Sequence, residues 1–258
     1  MKNWLLWGMM LLLCISLYSG DNMKAVVSSG EAEIPREILE TLDPVTREML
    51  TEEPKYLALT FDDGPRRGTT DILLNGLQER GVPATFFVVG EQIEGNEDLI
   101  LRMKAEGHQI GNHTYSHTML LKAEKAAMME EIRKTEVMLE QLIGGGHYWL
   151  RPPYGLIDVK RAAQVKTPMI YWSVDPEDWD LLDTEKVVAR VMEQITNKDI
   201  ILLHDFYPTS VDAALELIDR LQEKGYTFVT VEELFRIQGI EPEAGLLYAS
   251  PACIRPLP

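Results

Sequence analysis

The 258-residue chain is poor in cysteine, which limits how it can be stabilised. Its two cysteines are Cys14 and Cys253. If the apolar N-terminal stretch is removed, the mature protein keeps one thiol and has no internal disulfide. A fold stabilised by disulfide bonds is therefore excluded. Stability must come from a hydrophobic core, and a chain of this length is long enough to form one. The cysteine count leaves the compartment open.

Positive charge is also scarce. Lys and Arg number 25 against 41 Asp and Glu, so the formal net charge is −16. Such a surface argues against a general affinity for nucleic acid or anionic lipid. It does not repel a neutral or cationic substrate, and a glycan is therefore permitted.

The apolar run at the N-terminus, residues 4–18, is shorter than the roughly 20 residues that a membrane-spanning helix needs. Lys2 precedes it, as in a secretory signal. Cleavage after Ser19 or Gly20 would leave a large residue at the −3 position, so an uncleaved anchor stays open. We therefore predict that residues 1–20 are a signal peptide or signal anchor. The protein is expected to be exported, and to contact a membrane only through this segment if it is uncleaved.

The rest of the chain divides by its hydrophobic pattern. Residues 21–54 are acidic and poor in apolar side chains, which predicts a linker or a solvated flank. Residues 55–237 alternate between strand-like and helix-like segments, and residues 238–258 look like an irregular C-terminal extension. The predicted strands are 56–61, 84–89, 109–112, 149–151, 169–174, 200–203 and 226–229. The predicted helices are 70–80, 97–106, 122–143, 158–164, 184–195, 210–224 and 231–236.

Capping residues support these boundaries. N-caps are predicted at Thr184, Ser210 and Thr230, and helix ends are predicted at Gly81, Gly107, Gly144 and Gly225. Seven strand–helix units indicate an α/β fold with a parallel sheet, either closed into a barrel or doubly wound.

Polar side chains follow most of the predicted strands. These residues are Asp62 and Asp63, His113, Arg151, Asp175 and His204. In a parallel barrel the carboxyl ends of the strands meet at one face, where active sites of such folds are built. We therefore expect residues more than a hundred positions apart to converge there.

Two motifs suggest a metal site. Asp62 and Asp63 are adjacent, so on an extended strand they point in opposite directions, and one could bind a metal while the other acts as a base. His113 and His117 are four residues apart, which on a helical turn places both imidazoles on the same face. Two histidines and one carboxylate form a common hydrolytic zinc set. Asp-Asp-Gly-Pro also suits a plain turn, and two surface histidines are the alternative to a ligand pair.

Three further motifs suggest catalysis on a sugar. Arg151 precedes two prolines that fix the chain direction, and its guanidinium could orient a carboxylate or form a structural ion pair. Residues 175–179 combine carboxylates with Trp179, which could stack on a sugar ring or lie in the core. His204 ends an apolar strand and is suited to proton transfer near neutral pH.

Taken together, these segments resemble the polysaccharide deacetylase family, which shares the NodB homology domain and is carbohydrate esterase family 4. All five family motifs occur in order, and the resemblance covers about residues 55–236. The motifs are Thr60-Phe61-Asp62-Asp63-Gly64, His113-Thr114-Tyr115-Ser116-His117, Arg151-Pro152-Pro153-Tyr154, residues 175–179, and Leu202-Leu203-His204.

The resemblance implies a distorted (β/α) barrel of about seven strands and a role for each matched residue. Asp63, His113 and His117 would hold a divalent ion, with zinc expected. The catalytic group would be Asp62 as base, His204 as acid, Arg151 steadying Asp62, and Asp178 orienting His204. The substrate-binding residues would be Tyr154, through its backbone amide, and Trp179 and Leu202, as walls of the acetyl pocket.

The expected activity is hydrolysis of N-acetyl groups on the amino sugars of a polysaccharide, with peptidoglycan as the first choice. A chitin oligosaccharide deacetylase and an O-acetyl xylan esterase are the enzymatic alternatives. A catalytically silent glycan-binding protein is the alternative from another class, and it would have been favoured by a missing base or acid.

Overall fold

The computed structural model describes residues 40–41, 53–145 and 148–258. The predicted signal or anchor segment and most of the predicted acidic flank lie outside these residues. Among the described helices, none has both the length and the apolarity to cross a membrane. Residues 54–258 make up one folded unit, and it carries every predicted site residue.

Five parallel strands form the main sheet. They are β1 Lys55–Asp62, β2 Thr85–Val88, β3 Gln109–Asn112, β5 Ile200–His204 and β6 Tyr226–Val229. β1 pairs with β2, β5 and β6, and β2 pairs with β3. Apolar side chains of these strands contribute to two buried clusters, as expected of parallel strands that are covered on both sides. The predicted α/β class with a parallel sheet is confirmed.

Alternation along β1 separates the core from the site. Leu57, Leu59 and Phe61 pack into the cluster that the surrounding helices cover. Thr60 and Asp62 point to the other side, where both meet the guanidinium of Arg151. Because side chains alternate with a period of two, one strand supplies the core with one face and the site with the other.

A second, smaller sheet contains β4 Met169–Ile170, β7 Leu247–Ser250 and β8 Cys253–Ile254. β7 pairs in parallel with β4 and antiparallel with β8. The predicted extension after residue 237 is therefore not irregular throughout. The sequence around β7 shows no clear strand pattern. The strand is stabilised by pairing with distant β4 and by burial of Leu247 and Tyr248.

Isolated parallel bridges link the two sheets. Leu150 bridges to Asn112 and Met169, and Val174 bridges to Ile201. The predicted strand 149–151 is thus reduced to one bridged residue, and only the first two residues of 169–174 form a strand. Regular ladders do not close the sheet, so the distorted barrel of about seven strands stays a prediction.

Eight α-helices connect and cover the strands. They are α1 Thr70–Arg80, α2 Glu97–Ala105, α3 Lys125–Ile143, α4 Val159–Ala162, α5 Asp178–Leu181, α6 Thr184–Gln194, α7 Pro208–Glu223 and α8 Val231–Ile237, counted after residue 53 in the described part of the chain. Short 3-10 turns occur at Gly90–Gln92, Leu120–Lys122 and Pro153–Gly155.

The helix caps are partly as predicted. Thr230 forms a full capping box with Glu233. Thr184 is instead the first residue of α6, because Asp183 accepts the hydrogen bond from the backbone of Lys186. Ser210 lies inside α7, which begins two residues earlier at Pro208, since proline suits a first helical turn.

The four glycines predicted to end helices all have positive φ, between 64° and 84°. Gly81 and Gly144 are the C-caps of α1 and α3, and Gly107 and Gly225 follow one residue after the caps of α2 and α7. The left-handed conformation is inexpensive only for glycine, which explains their positions.

Candidate active site and metal centre

The site begins where β1 ends. Asp62 is its last residue and is almost completely buried, whereas Asp63 has a positive φ of 75°. This change of backbone conformation directs the two adjacent carboxylates to different partners. Asp62 meets Arg151, and Asp63 meets two histidines.

Asp63, His113 and His117 form the one group of metal-ligating side chains found among the described residues. Their ligand atoms all lie within 4.8 Å of one another. Asp63 Oδ1 is 3.6 Å from His113 Nε2 and 3.4 Å from His117 Nε2. Two ligands at about 2.1 Å from a tetrahedral ion are about 3.4 Å apart, so the spacing fits a single metal ion.

The protonation of His113 supports this interpretation. Its Nδ1 lies 2.7 Å from the carbonyl oxygen of Arg151, which can only accept, so Nδ1 carries the proton and Nε2 presents a lone pair. Burial lowers the pKa of His113 to about 3, which keeps the ring neutral. Asp63 Oδ1 is buried and makes no hydrogen bond with the described residues. A cation would stabilise acceptors that face each other in this way, and the residues present therefore fit a divalent metal.

The His113–His117 pair is not on a helix, contrary to the prediction. β3 ends at Asn112, and the pair spans a loop in which Thr114 and His117 have positive φ, 67° and 55°. Local hydrogen bonds replace helical ones. Asn112 Oδ1 accepts from the backbone of Thr114 at 2.8 Å, so the loop brings the two imidazoles together by a different path.

A carboxylate on α3 holds the far side of this loop. Glu131 accepts from the backbone of Ser116 at 2.8 Å and from its hydroxyl at 2.9 Å. Ser116 directly precedes His117. The sequence reasoning missed Glu131, because one acidic residue on an amphipathic helix is indistinguishable from an ordinary solvent-facing charge.

Asp62 and Arg151 form a buried ion pair. Arg151 Nη1 donates to Asp62 Oδ1 at 2.8 Å and to Thr60 Oγ1 at 2.7 Å, and its Nη2 donates to the carbonyl of Tyr171 at 2.7 Å. Burial raises the pKa of Asp62, while the charges of Arg151 and His204 act against this rise. Asp62 Oδ2 also lies 3.6 Å from His113 Nε2, so this carboxylate borders the metal ligands.

His204 ends β5 directly opposite Asp62, because the two residues are paired in the parallel ladder. Its Nδ1 lies 2.8 Å from Asp178 Oδ1, and its backbone N–H donates to Asp178 Oδ2 at 2.9 Å. Burial lowers the pKa of His204, but the hydrogen bond and charge of Asp178, with the charges of Asp62 and Asp63, raise it to about 9. The imidazole is therefore protonated at neutral pH, with Nε2 as its remaining donor.

The three predicted substrate-binding residues border the same region. Tyr154 has a positive φ of 61°, is 55% exposed and has its ring 4.7 Å from that of His117. Trp179 lies on α5 next to Asp178 and is 51% exposed. Leu202 pairs with Thr60 in the ladder, so it faces the same side as Asp62. The backbone N–H of Tyr154 donates to no described backbone carbonyl, which leaves it available to a ligand.

Two other residues complete the surroundings. Asp175 accepts from the backbone of Glu177 at 2.9 Å and does not contact Arg151 or His204 by a hydrogen bond in the described part of the chain. Asp205 follows His204, is fully buried and accepts a hydrogen bond from Thr70. Burial raises the pKa of Asp205 to about 7. The sequence reasoning missed Asp205, because an acidic residue after a strand resembles a surface turn.

The fold and site define a class: an α/β protein with a hydrolytic metal set at the carboxyl ends of parallel strands. The family model described as polysaccharide deacetylase matches residues 50–169. The chain is also 33% identical over 209 residues to a peptidoglycan-N-acetylglucosamine deacetylase from Bacillus cereus, covering 78% of this chain and 97% of that protein. The chain therefore belongs to the polysaccharide deacetylase family.

Two further comparisons agree. The peptidoglycan-N-acetylmuramic acid deacetylase PdaC from Bacillus subtilis is 38% identical over 205 residues, which is 80% of this chain and 42% of that protein. The chain thus spans about two fifths of the length of that relative. A family 4 acetyl xylan esterase from Clostridium thermocellum, in complex with a cobalt ion, superposes with a TM-score of 0.73 at 30% identity, covering 77% of this chain and all of that one.

Proposed function

We propose that the protein hydrolyses the N-acetyl groups of amino sugars in a polysaccharide, releasing acetate and leaving a free amine. The observation that carries this proposal is the convergence of two hydrogen-bonded pairs, Asp62 with Arg151 and His204 with Asp178, beside three potential metal ligands. One pair suits proton removal and the other suits proton donation.

Asp63, His113 and His117 would hold the metal, and zinc is the ion we propose. A divalent ion in this position would polarise the acetyl carbonyl and make water easier to deprotonate. Zinc suits two imidazoles and one carboxylate with positions left open for ligands. The cobalt complex of the xylan esterase relative supports a divalent ion but does not choose among metals.

Asp62 is proposed to accept the proton of the attacking water. Its carboxylate is fixed by Arg151 and borders the metal ligands, and the raised pKa of Asp62 makes it a better base than an exposed aspartate. The uncommitted backbone N–H of Tyr154 would donate to the oxyanion that forms on the carbonyl oxygen.

His204 is proposed to donate a proton from Nε2 to the sugar nitrogen, because an amine leaves far more readily than its anion. Asp178 fixes the ring through Nδ1 and keeps it protonated by raising the pKa. Trp179 and Leu202 would border the acetyl group, Trp179 as an exposed aromatic surface and Leu202 as a buried apolar one.

Peptidoglycan is the substrate that we propose first. Two of the relatives are named as peptidoglycan deacetylases, one acting on N-acetylglucosamine and the other on N-acetylmuramic acid. Export, predicted from residues outside the described part, agrees with a cell-wall substrate. A chitin-type oligosaccharide is the second choice.

Acetate release from three purified polymers tests the substrate class. The full chain with zinc would be incubated with peptidoglycan, chitin oligomers and O-acetylated xylan. We expect the highest kcat/KM on peptidoglycan. Faster release from xylan would favour an O-acetyl esterase, which the same residues could perform since an ester is easier to cleave. Binding without release from any polymer would favour a silent glycan-binding protein.

A further inference from the structure

An exposed arginine lies on the segment that follows β1, just after the candidate base and metal ligand, and has no role in the reaction described above. Arg66 follows Asp63 by three residues, so its Cα lies within about 11 Å of the Cα of that ligand. Its guanidinium sits over the ring of Phe206, 4.1 Å from the centroid, and Nη1 donates to the carbonyl of Phe206 at 3.3 Å. Phe206 is two residues after His204.

The backbone of Arg66 is also held in place. Its N–H donates to Thr70 Oγ1 at 2.8 Å, and the same hydroxyl donates to buried Asp205. The ends of β1 and β5 are paired at Asp62 and His204. The backbone of Arg66 is therefore held by the start of α1, and its guanidinium is held by the segment that follows the candidate acid His204.

Apart from its contact with the Phe206 ring, the charge of Arg66 has no partner of opposite sign among the described residues. Within the described residues Arg66 has no carboxylate within ion-pair distance, and its other guanidinium donors have no hydrogen-bond partner. The neighbouring Arg67 differs, because its Nη2 lies 2.6 Å from Asp98 Oδ1. An arginine stacked on an aromatic ring with free donors is preorganised to bind a carboxylate.

Resting on the proposed function, we infer that Arg66 is a specificity-determining residue that binds a carboxylate carried by the substrate glycan close to the acetamido group. The ligand class is an amino sugar with a carboxyl-bearing ether on the carbon next to the acetamido carbon, which is the chemistry of N-acetylmuramic acid. In a glycan whose peptides have been removed this carboxyl is free, and in a peptide-substituted glycan it is an amide.

The experiment pairs one protein change with one substrate change. Acetate release by the full chain with zinc would be measured on a peptide-free muramic glycan with free carboxyls, and on the same glycan with its carboxyls converted to amides. The readout is the ratio of kcat/KM for the carboxylate form over the amide form. The variants are Arg66→Gln, Arg66→Lys and, as matched control, Arg67→Gln.

We expect Arg66→Gln to lower this ratio on the order of fivefold. An effect of this size lies between the contribution of an exposed ion pair and that of a charge-assisted hydrogen bond. Arg66→Lys should keep part of the ratio, because the charge remains while the planar fork is lost. Arg67→Gln should leave the ratio as in the parent protein. A ratio that is equal in the parent and in Arg66→Gln, with turnover intact, would overturn the inference and leave the proposed function standing.

If the parent protein releases no acetate from either glycan, the proposed activity on peptidoglycan fails separately. Calorimetric titration of both glycans then decides about Arg66. Tighter binding of the carboxylate form that disappears in Arg66→Gln supports the inference, and binding that is independent of the carboxyl refutes it.

Discussion

At the scale of single residues, the two adjacent aspartates have sharply different environments. Asp62 is buried against Arg151, whereas Asp63 has a positive φ and presents an unbonded oxygen to two histidines. The two carboxylates have different partners, as expected of neighbouring residues at the end of a strand. The positive φ of Asp63, which the sequence did not reveal, completes it.

Replacing Asp62 by Asn tests its proposed role as base. Asn keeps the shape and an acceptor for Arg151, but it cannot remove a proton. We expect kcat to fall on the order of 10²- to 10⁴-fold while one metal ion per chain stays bound. Acetate release and metal content would be measured on the same sample, and turnover near the parent level would refute the assignment.

The pH dependence of kcat/KM tests the Asp178–His204 pair. A general acid must be protonated, so activity should fall at high pH as His204 loses its proton. Because the hydrogen bond and charge of Asp178 raise the pKa of His204, Asp178→Asn should move this alkaline limb to lower pH. Glu177→Gln is the matched control, since Glu177 pairs with Arg190. An unmoved limb in Asp178→Asn would exclude His204 as the titrating acid.

Asp205 gives a prediction about stability. Burial raises its pKa from 3.8 to about 7, so the native state binds this proton more tightly than the unfolded state. The associated stability is fully present below pH 3.8 and is lost as the pH rises through about 7. Asp205→Asn stays neutral at every pH, so it should weaken this pH dependence. At acidic pH the free energy of unfolding should fall by no more than about 1–3 kcal/mol.

Urea unfolding of metal-free protein at pH 5 and pH 8 measures the effect of that substitution. Exposed Asp212 on α7 provides the control Asp212→Asn, which should leave the pH dependence as in the parent. An equal pH dependence in the parent and Asp205→Asn would show that Asp205 is not the group concerned.

At the scale of helices and strands, the sequence predicts the main elements well where burial is continuous. The predicted limits of β3, β6 and α1 agree with the structure to the residue. A glycine of positive φ lies close to one end of each: Gly81 after α1, Gly107 before β3 and Gly225 before β6. The parallel pairing then makes the carboxyl ends of β1 and β5 meet, as the motif order implied.

Elements that depend on distant partners could not be predicted. β7 pairs with β4 nearly eighty residues away, and the 149–151 segment contributes only the bridge at Leu150. The four-residue spacing of His113 and His117 predicts a helix, but the structure has a loop there. Backbone N–H groups of this loop donate to Asn112 and Glu131. Spacing therefore indicated a cluster that fits a metal without indicating the backbone that presents it.

The contact between α3 and the histidine loop gives a prediction at this scale. Glu131 holds Ser116, and its loss should loosen the position of His117. We expect Glu131→Gln to weaken metal affinity by roughly tenfold, as changes in groups that orient metal ligands do. Competition with a chelating dye measures the affinity.

Glu130→Gln is the matched control for that experiment, because Glu130 is the preceding residue of α3 and pairs with Arg133 instead. Its metal affinity should equal that of the parent protein. Equal affinities in all three proteins would mean that Glu131 does not position the ligand.

At the scale of the whole molecule, a chain of net charge −16 has three cationic groups on or just after the segments that end at the paired residues Asp62 and His204 and at Arg151. Arg151 is buried against Asp62, protonated His204 lies against Asp178, and Arg66 lies exposed on the segment that follows β1. The acidic surface repels anionic partners in general. The anionic glycan proposed above would bind because Arg66 offers it a local positive charge. Residues 54–258 hold all of these groups in one folded unit.

The proposed N-deacetylase activity is best tested by metal-dependent release of acetate from peptidoglycan by the full chain. Acetate and new primary amines would be counted together in chelator-treated protein and after zinc is restored. We expect one amine per acetate, loss of both with chelator and recovery of both with zinc. Release that persists after the metal has been removed, or acetate without new amines, would contradict it.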